Sequence, residues 1–221
     1  MKRPLYIGLG LLGTIILGGL LASVPHSSRP TYQGKTVTEW ALLAYSGDGR
    51  AALELKALGS NVVPELVQML DAKDPVIEKE MWDLQPKIPH PFRSMAHVKA
   101  PQAAAMRGAG ARSLGILGPA AGAAVAALGK ALCGNDHQLR WDASAALGRI
   151  GKKSVPVLTE ALKGQDPDVR RASVYALAEI GTQAEASLPT LAKLLNDPDA
   201  NVRAAAAYSM HQITGPHILA N

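Results

Sequence analysis

Arg140, Arg170 and Arg203 stand 30 and then 33 residues apart, and each follows an aspartate (Asp136, Asp166, Asp199) by four residues. Downstream, Ile150-Gly151, Ile180-Gly181 and Ile213-Thr214 fall at one constant distance from the three arginines. A recurrence of this length belongs to an array of small units and excludes a single-core globule as the organising principle.

Each unit is physically legible. In Ser154–Leu162 the apolar residues Val155, Leu158 and Leu162 are spaced i, i+3, i+7 and share one helical face. Pro156 sits in the first turn, where a fixed φ helps and the missing N–H costs little. Asp166-Pro167-Asp168 breaks that helix and offers a cap for the next. Val169, Ala172, Ala176, Leu177 and Ile180 then line a second face, which Gly181 closes. Two helices this short cannot bury their stripes alone, so neighbouring units must stack. The predicted fold is all-α: an α-solenoid of about five helical hairpins.

The string Pro156…Leu162, Asp166, Val169-Arg170…Ala176-Leu177…Ile180-Gly181 resembles a HEAT repeat, of the short type grouped with phycobilisome-lyase HEAT-like repeats. The resemblance is clear over residues 102–213 and looser over 36–70. It implies that the Arg column and its turn acids form a structural ladder between layers, and that the array is a protein-binding scaffold. It also raises an alternative, a lyase-like or chaperone-like protein handling a cofactor-bearing partner.

The amino terminus is a different kind of chain. Lys2 and Arg3 precede the uncharged run Leu5–Val24, about the 20 residues that span a bilayer core of roughly 30 Å. It reads as an uncleaved signal anchor over residues 1–24, with a cleaved signal peptide as the alternative. The basic flank keeps the terminus cytoplasmic and places the repeats outside the cytoplasm, or free in the exported space after cleavage. Residues 25–35 form a linker and 36–221 the repeat domain. Of 23 Lys and Arg, three lie in the first 30 residues, which hold no acid. The remaining 20 face 18 acids, intermixed along the chain, which argues against a nucleic-acid reader. Cys133 is the only cysteine, so no intrachain disulfide forms. It is expected to pack as a small apolar residue.

Thr36 and Glu39 suit a capping box ahead of Trp40, which is expected in the core. Residues 48–58 read as a helix ending at Gly59, and Val63, Leu66 and Leu70 restate the Val155, Leu158, Leu162 stripe. Residues 71–101 then interrupt the array where a turn and a Val-Arg helix are due. Pro75–Leu84 reads as a helix, and the three prolines at 86, 89 and 91 forbid regular structure after it. The insertion is either a packing extension or a binding loop built on Trp82, His90, Phe92, Arg93 and His97. The Ala- and Gly-rich stretch 103–127 predicts close helix–helix approach.

No chemistry is written into the repeats. None of the six histidines precedes a Glu or recurs in register, so no metal site or cofactor is expected, and no nucleophile elbow marks a hydrolase. The expected function is a non-catalytic, membrane-anchored scaffold for a protein or peptide. Eliminating core positions from the second helices leaves three columns for the inner face: Gly108, Trp141, Arg171, Ala204; Arg112, Ala145, Tyr175, Tyr208; and Gly115, Gly148, Ala178, His211. Trp141, Arg171, Tyr175, Tyr208 and His211 are the candidate partner-binding residues, since aromatic and arginine side chains anchor interfaces. The last helical pair, with no successor to cover it, is either a polar cap or a docking end.

Overall fold

The computed structural model describes residues 30–74 and 102–215. The uncharged amino-terminal run and the 75–101 portion of the insertion, with Trp82, His90, Phe92, Arg93 and His97, lie outside the described residues. From Tyr32 the chain forms one compact unit. It opens on two short paired strands, β1 (Thr31–Tyr32) and β2 (Lys35–Thr36). Gln33 and Gly34 turn between them at φ 51° and 77°.

Among the described residues, ten α-helices follow as hairpins: α1 (Val37–Tyr45) with α2 (Gly49–Leu58), α3 (Val63–Leu70) with α4 (Ala103–Leu117), and α5 (Val125–Leu132) with α6 (His137–Ile150). Two more are α7 (Val155–Ala161) with α8 (Pro167–Ile180) and α9 (Leu188–Leu194) with α10 (Ala200–Thr214). Local chemistry sets the ends. Thr36 and Glu39 form the expected capping box, and the carboxyl of Glu39 lies below its usual range because the Thr36 backbone N–H donates to it. Asp48, Asp136, Asp166 and Asp199 cap α2, α6, α8 and α10. Gly151 (φ 83°) and Gly181 (φ 66°) end α6 and α8 in a conformation that a Cβ disfavours. A short 3₁₀ stretch then leads to the next hairpin, residues 118–124 among them, and α5 begins at Val125.

The core runs through the array without a break. Leu66, Leu114, Leu128, Leu147, Leu158, Leu177 and Leu191 are fully buried, and so are the predicted stripe residues Val155, Leu162, Val169, Ala172, Ala176 and Ile180, nearly to completion. The second helices α4, α6, α8 and α10 pack side by side in one layer, more intimately than α3, α5, α7 and α9 in the other. Small residues permit close approach both within a hairpin and between neighbouring hairpins. A Cβ on Gly110 would meet the Leu66 carbonyl oxygen at 2.8 Å, and one on Gly115 would meet the Ala146 Cα at 3.1 Å. Trp40 is buried as expected, and its Nε1–H donates to the Tyr32 carbonyl at 3.0 Å, fastening the strands to α1.

Arginines stitch the turns. Arg140 is almost fully buried and donates to the Leu132 and Gly134 carbonyls and to Asp166 of the next turn at 2.9 Å. Arg170 donates to the Gly164 and Gln165 carbonyls, and its Nε and Nη2 grip both Asp197 oxygens at 2.8 Å. The carboxylate serving Arg170 is thus Asp197, two residues before the aligned Asp199, which only caps α10. Arg107, 33 residues before Arg140, is a further rung: it donates to Asp136 at 2.8 Å and to the Ala72 carbonyl at 2.9 Å.

Asp74 accepts from the backbone N–H groups of Gln102 (2.7 Å) and Ala103 (2.9 Å). It is therefore the turn aspartate of the second hairpin, and residues 75–101 are inserted between this cap and the helix it caps. Cys133 does not pack as expected. It is exposed, because the buried stripe of α5 ends at Leu132 and the next residue points about 100° away around the helix, into the turn.

Two rung carboxylates carry a pH signature. Backbone donation from Leu139, with help from Arg107, holds Asp136 below the usual carboxylate range against the cost of its burial. At Asp197 burial is the largest influence and pushes the carboxyl up, yet Arg170, the Asp199 N–H and Arg203 together outweigh it and lower it. A folded-state value below the unfolded one stabilises fully above the unfolded pKa, near 3.9, and that contribution is lost as pH falls through the lower folded value. Thermal melts followed by circular dichroism should show Tm falling below about pH 4. Asp197→Asn should cost about 3–5 kcal/mol at pH 7, because it strands a buried guanidinium, and should lose less further stability in acid than the wild type.

Candidate partner-binding face

The exposed ridge of the second-helix layer brings three of the five candidate residues together. Trp141 on α6 is 37% exposed and Tyr175 on α8 44% exposed. Their ring centroids lie 6.1 Å apart at 45°, within the range of favourable tilted aromatic pairs. The Arg171 guanidinium lies over the Trp141 ring at 5.5 Å, a cation–π arrangement. Asp168 in the first turn of α8 fixes that guanidinium, accepting from its Nη2 at 2.7 Å, while His137 Nδ1 stands 3.9 Å from the other Asp168 oxygen. The result is a preformed slab of indole, phenol and guanidinium with its outer side in solvent.

A second pair continues the ridge toward the amino-terminal end. Arg112 on α4 lies 4.5 Å from the Tyr45 ring and donates from Nε to Asp142 at 2.9 Å. The Asp142 bond holds the Arg112 guanidinium above its already high ordinary value. Gln138 donates to the other Asp142 oxygen at 3.3 Å. Tyr45 occupies the space that the absent side chain of Gly108 leaves: a Cβ there would sit 2.8 Å from its ring. The arginines of this face are matched by acids, with Arg149 facing Glu179 at 3.6 Å besides the two pairs above. The ridge therefore presents aromatic faces with locally compensated charge.

The remaining candidates stand apart from this cluster. Tyr208 on α10 is 53% exposed and joins no aromatic pair among the described residues. His211 is exposed because α10 is the last described helix, and the column predicted for it is not an open face. Gly115 and Gly148, its counterparts in α4 and α6, are buried against Ala146 and Glu179 of the following helices. Gly108 of the first column is likewise covered. A glycine leaves no side chain to project, so the next helix or a neighbouring ring fills the position. Sequence reasoning missed Tyr45, which lies on α1, outside the aligned repeats. It also missed Leu53, 70% exposed on α2.

No group of three or more His, Cys, Asp or Glu residues suited to a metal ion occurs among the described residues. What this arrangement does chemically is stack and cover. The ridge residues carry little of the folding energy. Tyr175→Ala and Arg171→Ala should each cost at most about 0.5–1.5 kcal/mol in urea unfolding, the worth of an exposed aromatic or cation–π contact. Leu177→Ala, two residues from Tyr175 but fully buried, should cost about 2–5 kcal/mol.

Two family models match the chain. Residues 155–219 match the model described as HEAT repeats, and residues 139–164 the model described as PBS lyase HEAT-like repeat. No curated protein matches. Among solved structures, the complex of CpcE and CpcF of phycocyanin lyase from Nostoc sp. PCC7120 is similar at 15% identity and TM-score 0.50, over 79% of this chain and 98% of that one. A designed armadillo repeat protein in complex with peptide (KR)4 aligns at 16% identity and TM-score 0.39, over 80% of this chain and 99% of that one. The first of these likenesses agrees with the helical-hairpin architecture and speaks to fold alone. Residues 139–219 therefore carry HEAT-type repeat sequence, and the described helices stack as hairpins of a helical solenoid.

Proposed function

We propose that the protein is a non-catalytic, membrane-anchored scaffold that binds a protein or peptide partner along the ridge of Trp141, Arg171, Tyr175 and Tyr208. The observation that carries this reading is the Trp141–Tyr175–Arg171 slab, already assembled and left exposed. Large aromatic and guanidinium surfaces held in place in advance lose little conformational freedom on binding, and such groups dominate interface energetics. The ridge lies on the more closely packed helix layer. In this reading that layer is the inner, concave side of the array. Because Arg112, Arg149 and Arg171 are each paired with an acid, the partner fits as an extended segment with aromatic or aliphatic anchors, with no requirement for strong opposite charge.

Membrane anchoring belongs to this proposal through the uncharged run Leu5–Val24 behind Lys2 and Arg3, with the repeats on the extracytoplasmic side. A second reading is favoured by the match of residues 139–164 to the PBS lyase HEAT-like repeat: a lyase-like or chaperone-like role on a cofactor-bearing partner. Trp141 lies within that matched segment, so the same ridge serves either reading.

Crosslinking in intact native cells, followed by affinity purification of the full-length chain and mass spectrometry, tests the proposal. It predicts a stoichiometric partner that is lost on Tyr175→Ala with Tyr208→Ala while helix content is unchanged. Undiminished capture by the double variant would remove the ridge assignment. A visible chromophore copurifying with the partner would move the reading to the lyase-like alternative.

A further inference from the structure

Among the described residues, the last arginine of the ladder has no acid partner. Each inner rung donates both to carbonyls of its own turn and to an acid of the next hairpin. Arg170 shows the geometry fully: Nη1 is clamped by the carbonyls five and six residues back, Gln165 (2.8 Å) and Gly164 (2.9 Å). That clamp directs the Nε/Nη2 edge at Asp197 of the following hairpin. Arg203 has the same clamp at the same offsets, with Nη1 donating to the carbonyls of Pro198 (3.0 Å) and Asp197 (2.7 Å). Its Nε/Nη2 edge has no carboxylate partner among the described residues. Both Asp197 oxygens are already bonded to Arg170.

The helix surface around Arg203 is shaped like an inner layer. Ala207 occupies the register position of Ala111, Ser144 and Val174, three residues that are buried beneath the following helix. Ser144 even donates across that contact to the Ala172 carbonyl at 2.7 Å. Ala207 itself is exposed. A small residue permits close helix approach, and a pre-clamped bidentate edge selects a carboxylate.

We propose that the outward face of α10 docks a helical protein partner that presents an aspartate or glutamate, from the turn leading into a helix, to the Nε/Nη2 edge of Arg203. The partner thereby continues the ladder. Charge complementarity identifies it: among the described residues three rungs are each completed by an acid from the following hairpin, through Nε and Nη2 in Arg107 and Arg170 and through Nη2 in Arg140, and Arg203 presents that edge uncompleted. This end surface is distinct from the aromatic ridge, and losing one leaves the other testable.

The test uses the full-length protein, arginine ¹⁵N-labelled, and a synthetic peptide covering Asn196–Thr214, the turn and helix that Arg170 accepts within the chain. The Arg203 Nε–H resonance, identified by its loss in Arg203→Gln, should shift saturably on titration. The Asp197→Asn peptide should bind at least about tenfold more weakly, since the bidentate charged bond is removed. Arg140 and Arg170 should not move, being already engaged. Equal titrations by the two peptides, or no saturable shift up to millimolar peptide, would overturn the proposal. So would shifts at the exposed Arg50 and Arg149 as large as at Arg203, which mark diffuse ion pairing. An Arg203 shift that grows with protein concentration in the absence of peptide also counts against it, since the occupant would then be a second copy of this chain.

Discussion

The bond from Arg107, Arg140 and Arg170 to a carboxylate of the following hairpin is the contact on which the rest of the array depends. The helices are short, 7 to 15 residues, and helices of this length are marginal alone in water. They persist because neighbouring hairpins cover their apolar stripes, and that burial is non-directional. It leaves free how one hairpin slides on the next. The arginine rungs and the small-residue contacts remove that freedom. Arg107, Arg140 and Arg170 pin the turn edge, while Gly115 against Ala146 holds neighbouring helix bodies at short range. A buried ion pair costs desolvation nearly equal to its attraction, so the rungs act mainly on register.

Much of this was legible in the sequence for a physical reason: repetition exposes constraint. The stripes Val155–Leu158–Leu162 and Val169–Ala172–Ala176–Leu177–Ile180, the aspartate caps and the glycine stops could be read because each recurs with its own chemistry. Legibility failed where the repeat bends. Asp197 replaces the aligned acid as the partner of Arg170 because Asp197-Pro198-Asp199 offers two carboxylates and the guanidinium takes the more buried one. Asp74 reaches across 27 inserted residues to cap α4, a contact that no local spacing announces. The inner-face columns failed at Gly108, Gly115 and Gly148, since the rule that non-core positions face solvent presumes a side chain. Tyr45 and Arg112 meet from helices outside one common register, so only the fold brings them together.

Two surfaces emerge with different chemistry. The ridge of Trp141, Tyr175 and Arg171 is aromatic, and its charges are satisfied internally. Its binding would depend on shape and stacking more than on salt. The end face at Arg203 and Ala207 offers one oriented cation beside small side chains, and would select a carboxylate in a fixed place. The buried layers between them are what keep both rigid.

A double-mutant cycle on Arg170 and Asp197 tests the central claim most directly. Urea unfolding of wild type, Arg170→Met, Asp197→Asn and the double variant isolates the rung from the burial that surrounds it. The ladder account predicts a coupling energy of about 1–3 kcal/mol, each single change costing far more than its addition to the other. Additivity within about 0.5 kcal/mol would contradict it, and would leave apolar burial alone holding the hairpins in register.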